Sequence, residues 1–348
     1  MTESQKVPRR RPYATLIPLA LAAVILVVAM HYINRPGAGP GNGAANGPAD
    51  NEPTLADKVR QAAAMSMADR KYDEAISLMK DYIAKFPNDV EVRPLLARAC
   101  MTKGDNAEAE RVVDQVIWRS PHLAQALWLK GELRHRRADV NYMVSFREAV
   151  EKSADVTPEY WSMFGRELLA ANQPAEAAKW LQRAYDSGWK DGPTLAALGE
   201  TKLSAKQYAQ AREMLEMASV KRPNDWHVSL LLATACRNLN DLKTAADILT
   251  TTLLDHQEPD LYMELGETRL LQKRPLESAE AFAEATHFSK YDRRAQAARK
   301  AAEVYYKHGL YPDAADMIKI AFELRPFDAE IKLLRAKILL AASQPANP

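Results

Sequence analysis

The chain has 348 residues, with 47 lysine and arginine side chains against 45 acidic ones, so its net charge of +2 leaves no basic footprint for nucleic acid. Alanine and leucine are plentiful, aromatic residues make up only 7%, and no block of like charge is long enough to form a charged tail. Residues 1–12 are polar and basic, with Lys6, Arg9, Arg10 and Arg11. They lead into a 17-residue apolar run over 14–30, ATLIPLALAAVILVVAM. A helix of that length rises ~25 Å, close to the hydrocarbon layer once Tyr13, His31 and Tyr32 serve as interfacial ends. Pro18 falls in its first turn, where a missing N–H costs little. The run ends without a clean small-x-small cleavage site, which favours a retained signal anchor over 13–33. A cleaved signal peptide, cut after Ala29 or in the glycine-rich stretch beyond, and an interfacial arrangement stay open. Four basic residues precede the run and only Arg35 closely follows it. The positive-inside rule then places the N-terminus in the cytoplasm and the rest of the chain outside it, in the periplasm if the host is a diderm bacterium.

Residues 34–55 are dominated by glycine, proline and asparagine and read as a flexible linker with a reach of ~25 Å. From there to about residue 342 a motif returns every 34 residues. With Ala56 as position 1, later units start at Val90, Ala124, Pro158, Gly192 and Trp226, and after small length changes at Pro259 and Ala295. Position 8 carries Ala63, Ala97, Gly131, Gly165, Gly199, Ala233, Gly266 and Ala302, and position 20 is alanine or serine in every unit but the third. That unit loses a residue near Asp139. Two helices of about a dozen residues approach closely only where the crossing residues are small, so these positions predict a helix pair per unit. Larger apolar residues such as Phe146, Leu181, Leu215 and Phe282 at position 24 fill the remaining volume. Pro87, Pro121, Pro223 and Pro326 at position 32 stop the second helix. Gly104-Asp105, Gln207-Tyr208 and Gly309-Leu310-Tyr311 occupy the turns between paired helices. The final stretch over 329–342 reads as one more helix that caps the last unit, with Leu333 and Leu340 surplus to the docking stripe of Ile331, Leu334 and Ile338. Residues 343–348 form a frayed tail.

These residues resemble the tetratricopeptide repeat family, and segments such as RKYDEAISLMKDYIAKFPND and HGLYPDAADMIKIAFELRPFD are similar to its ordinary members. The resemblance covers 56–342 and implies an all-α solenoid of about eight helix-turn-helix repeats plus a capping helix, here behind an N-terminal single transmembrane helix. It further implies a superhelix whose first helices line a concave, partner-binding groove. In the family, positions 2, 5, 6, 9, 12 and 13 face that groove, which assigns to it Leu95, Arg98, Trp128, Leu129, Glu132, Met163, Arg166, Glu200 and Leu231. Position 6 forms an apolar strip through the middle units, or else packs neighbouring first helices together. Position 9 alternates in sign over Arg98, Glu132, Arg166 and Glu200, the pattern of a ladder of inter-repeat ion pairs. The carboxylate-clamp set of co-chaperone members and the asparagine run of glycosyltransferase-linked arrays are both absent. An apolar helix or an extended segment is the expected partner.

Chemistry is hard to place on this chain. The seven histidines are scattered, no metal constellation, phosphate loop, dinucleotide fingerprint or nucleophile elbow occurs, and no enzyme activity, cofactor or metal is expected. Cys100 and Cys236 both occupy the inward position 11, too many repeats apart for a disulfide. Arg134-His135-Arg136-Arg137 sits at a helix C-terminus, where cations suit the dipole. The expected function is a membrane-anchored scaffold or adaptor that binds partner proteins in envelope assembly, secretion or polysaccharide export. The alternative is an architectural subunit that associates with itself, for which the C-terminal helix offers a contact.

Overall fold

A computed structural model describes residues 53–343; the N-terminus 1–12, the anchor expected over 13–33, most of the linker and the tail beyond Ser343 lie outside the described residues. Among the described residues there are seventeen helices and no strand. None of these helices is long and apolar enough to cross a membrane.

The chain divides into two compact units between Val156 and Thr157. The first holds three helix pairs: α1 (Leu55–Ala68) with α2 (Tyr72–Lys85), α3 (Arg93–Lys103) with α4 (Asn106–Arg119), and α5 (Ala124–Arg136) with α6 (Tyr142–Glu151). The second holds five pairs and a single helix: α7 (Pro158–Ala170) and α8 (Pro174–Asp186), α9 (Gly192–Ser204) and α10 (Tyr208–Lys221), α11 (Trp226–Asn238) and α12 (Leu242–Asp255), α13 (Pro259–Leu271) and α14 (Pro275–Phe288), α15 (Tyr291–Lys307) and α16 (Tyr311–Leu324), then α17 (Ala329–Ser343). Within each unit a helix packs on those one and two places along the chain, so the core is a row of small clusters.

Small residues set the pairing. All eight position-8 residues are buried, and the glycines leave no room for a larger group. A Cβ on Gly199 would stand 2.5 Å from Leu215 Cγ, and one on Gly165 would stand 2.5 Å from Leu181 Cγ. Gly266 faces the Phe282 ring in the same way, and Gly131 faces the Phe146 ring. The third pair reaches this contact with one residue fewer between glycine and ring, as the lost residue near Asp139 predicts. Tyr142 takes the place of the usual alanine and turns its ring edge onto His135 and Phe146.

Helix ends follow the local chemistry. Thr54 and Asp57 form a capping box at the start of α1, and Asp105, Asp191, Asp225 and Asp241 accept first-turn N–H groups. Second helices α2, α4, α10 and α16 stop two residues before Pro87, Pro121, Pro223 and Pro326. The turn inside every pair has one residue in the left-handed region at position 15: Arg70, Gly104, Ala138, Asn172, Lys206, Asn240, Lys273 and Gly309. The next N–H then reaches back five residues to a carbonyl of the first helix, as from Gln207 to Lys202 and from Asp241 to Cys236. Only two of these eight residues are glycine, so sequence alone shows this conformation in two turns and the structure shows it in all.

The basic stretch at the end of α5 is held internally. Arg134 donates to Ser145 Oγ at 2.8 Å, Arg136 donates to the Met101 carbonyl at 2.8 Å, and Arg137 grips Glu110 with both Nη atoms. Cys100 and Cys236 are free and buried, and burial pushes both thiols above their ordinary pKa. We expect both to resist a maleimide in the native chain and to react fully in denaturant, with no mobility change on reduction. Fast labelling of the folded chain would contradict their placement.

Candidate protein-binding groove

In the first unit, the residues in register with the groove separate by burial. Leu95 on α3 is half-buried and available on its outer side. Arg98, one turn further, pairs with Glu132 of α5 at 3.5 Å, the first rung of the expected ladder. Trp128 and Leu129 are corrected by the structure: at 2% and 0% exposure they belong to the core and not to an open surface. Trp128 stacks on Phe146 with ring centroids 4.1 Å apart, and its Nε1 donates to Glu132 Oε1 at 3.0 Å. A ring this large at position 5 is folded inward over the second helix of its own pair, and Leu129 joins the cluster of Leu96, Ala97 and Val113.

In the second unit, Met163 on α7 and Leu231 on α11 are half-buried, whereas Ala197 between them in register is buried. Position 5 of α7 is spent on packing: Ser162 and Thr194 share a buried hydroxyl hydrogen bond of 2.6 Å. The expected ladder does not continue here. Neither Arg166 nor Glu200 has an ion-pair partner among the described residues, and Arg166 Nε is buried without a hydrogen-bond partner. Charges pair between repeats at other positions, Arg237 with Glu264 at 2.6 Å, Lys300 with Glu267, and Arg299 with Glu330 at 3.5 Å. These pairs run from position 12, 6 or 5 of one first helix to a neighbouring first helix, a diagonal that a single-position reading misses. The groove-register residues left half-buried in this unit are therefore Met163 and Leu231, with the unpaired charges Arg166 and Glu200.

A carboxyl held by two cations lies away from these residues in the first unit. Arg111 and Lys80 hydrogen-bond Glu108 and hold its carboxyl down at about 2, against an ordinary 4.5. A carboxyl with a depressed folded pKa stabilises the fold above its unfolded value, and that stability is lost as pH falls from 4.5 toward 2. Urea midpoints of the native chain should accordingly fall more steeply across that window than those of Glu108→Gln. Parallel curves would show that the pairs contribute nothing. No group of His, Cys, Asp and Glu among the described residues could hold a metal ion.

Family models described as tetratricopeptide repeat match residues 66–129, 202–265 and 299–347, about half of the chain. No curated protein matches the sequence. Among solved structures, the chain is similar to a chain of the APC/C hetero-tetramer Cut9-Hcn1, with a TM-score of 0.53 and 15% identity over 82% of this chain. It spans 56% of the length of that protein. It is also similar to a tetratricopeptide repeat protein from Parabacteroides merdae, with a TM-score of 0.50 and 12% identity over 72% of this chain and 98% of the other. At these identities the likeness concerns the fold. The periodic small residues, the helix pairs they build and the three matched segments together show that this chain belongs to the tetratricopeptide repeat family.

Proposed function

We propose that this chain is a non-enzymatic scaffold that binds a partner protein along the first helices of its repeats. The observation that carries this reading is Arg166, a half-buried guanidinium with no internal partner, in register with half-buried Met163 and Leu231 and with the unpaired Glu200. A cation that has lost water without gaining a partner is costly, and a ligand carboxylate or carbonyl would offset that cost. The apolar neighbours suit an apolar helix or an extended segment. Family membership supports the same class of function, and the similar chain of the Cut9-Hcn1 structure is part of a hetero-tetramer. The apolar run over 14–30 and its basic flank support a membrane-anchored chain with the repeats outside the cytoplasm, serving envelope assembly, secretion or polysaccharide export.

A photocrosslinking residue at Met163 of the full chain tests the groove, with exposed Glu213 on the second helix α10 as control. The expected result is a crosslink to a distinct polypeptide from Met163 alone. Arg166→Ala should weaken that association by about 1.5 to 3 kcal/mol, the worth of a hydrogen bond to a charged group. Crosslinks chiefly between copies of this chain would replace the adaptor with a self-associating architectural subunit. A reporter active only outside the cytoplasm, fused after Thr54, should be active; a dark reporter would overturn the localisation.

A further inference from the structure

The helix α17 begins at Ala329, 34 residues after Ala295, and so occupies the register of a first helix in a ninth repeat. Its buried side docks as that register requires. Ile331 and Ile338, at positions 3 and 10, pack into the cluster of Ala298, Ala302, Ala314 and Ile318. Its other side lies open. Ala336 falls on position 8, the crossing point for a second helix, and it is exposed where all eight preceding position-8 residues are buried. Leu333, Leu339 and Leu340 around it are 58%, 50% and 64% exposed. Leu333, Ala336 and Leu340 lie three and four residues apart and therefore share one face.

The rim of this face has one sign. The only acidic residue of α17, Glu330, points back to Arg299 of α15 at 3.5 Å. Lys332, Arg335 and Lys337 have no carboxylate partner among the described residues; Arg335 lies over the Phe322 ring at 4.1 Å. Two such basic faces would repel each other, so charge argues against a second copy seated on its own twin.

We propose that the open face of α17 is a docking site, separate from the groove, for an acidic amphipathic helix donated by a partner protein, which completes a ninth helix pair in trans. The donated helix takes the place of a second helix, with a small residue over Ala336, apolar residues on Leu333, Leu339 and Leu340, and carboxylates toward Lys332 and Lys337. The helix α16 shows the required chemistry, because it presents Ala314 and Ala321 in the core it shares with Ala302 and carries Asp313, Asp316 and Glu323 against a single Lys319.

A fluorescein-labelled peptide with the sequence of Tyr311–Leu324 is a direct probe, and its anisotropy is titrated with the full chain. The expected result is saturable binding that weakens about tenfold in Ala336→Trp, which fills the crossing point, and about tenfold in Lys332→Glu/Lys337→Glu. A peptide with lysine in place of its three acids should not bind. All three altered positions are exposed, so circular dichroism and melting temperature should stay those of the native chain. No binding, or binding indifferent to Ala336→Trp and to peptide charge, overturns the proposal. Sedimentation of the chain alone is the second arm: a dimer that Leu340→Asp dissolves would make a second copy the occupant and overturn the acidic helix.

Discussion

Trp128→Ala should cost about 3 to 5 kcal/mol of stability in urea unfolding, the range for truncating a large buried aromatic side chain. The ring is 2% exposed, lies flat on Phe146 and donates from Nε1 to a carboxylate, so alanine leaves a cavity, an unstacked ring and a changed setting for Glu132. Glu132 also faces Arg98, so the loss should spread to the contact between α3 and α5. Trp118→Ala is the matched control, because that ring is exposed on α4 and its removal should stay within about 0.5 kcal/mol. Equal effects of the two substitutions would place Trp128 outside the core. A partner that still binds the folded fraction of Trp128→Ala would agree with the groove having moved to residues such as Met163 and Arg166.

Gly199→Ala should destabilise the second unit by about 1 to 3 kcal/mol, although alanine is the better helix former by about 1 kcal/mol. The added methyl would meet Leu215 Cγ at 2.5 Å, and Leu215 is wholly buried and cannot swing away. The substitution that restores space, Leu215→Ala, should be less harmful in the Gly199→Ala background than alone, a non-additivity measurable in a double-mutant cycle. Ala233→Gly, at the same register in the next pair, should cost only the ordinary helix penalty of about 1 kcal/mol. If Gly199→Ala proves stabilising, the closeness of α9 and α10 is not what selects glycine there.

The helix pairs were legible because their determinants are local and repeated: a small residue at the crossing, a large one opposite and a proline after the second helix. The same logic exposed the shortened third pair. The groove was less legible, since register tells which way a Cβ leaves the helix and not what the side chain then meets. Trp128 and Met163 sit at adjacent groove positions of successive first helices, yet Trp128 turns under its own second helix while Met163 stays half-exposed. Ion pairs escaped for a related reason. Long arginine and lysine side chains reach diagonally, so Arg237 finds Glu264 and Lys300 finds Glu267, and alternation at one position predicted only Arg98 with Glu132. The left-handed turns escaped because Arg70, Ala138, Lys206 and Lys273 give no hint in their side chains of a conformation that the backbone bonds impose.

The reach of the contacts bears on how this chain is made. In each unit a helix meets only those one or two places away, so no segment has to wait for a distant part of the sequence to emerge. A polypeptide of this kind can begin to close as soon as two repeats are clear of the ribosome, or of a pore that passes them as an extended thread. Local contacts also keep the search short, in the microsecond to millisecond range of helical domains. Within each unit a new pair then covers the apolar flank of the one before it. Beside α17 such a flank is still uncovered among the described residues, with Leu333, Leu339 and Leu340 exposed.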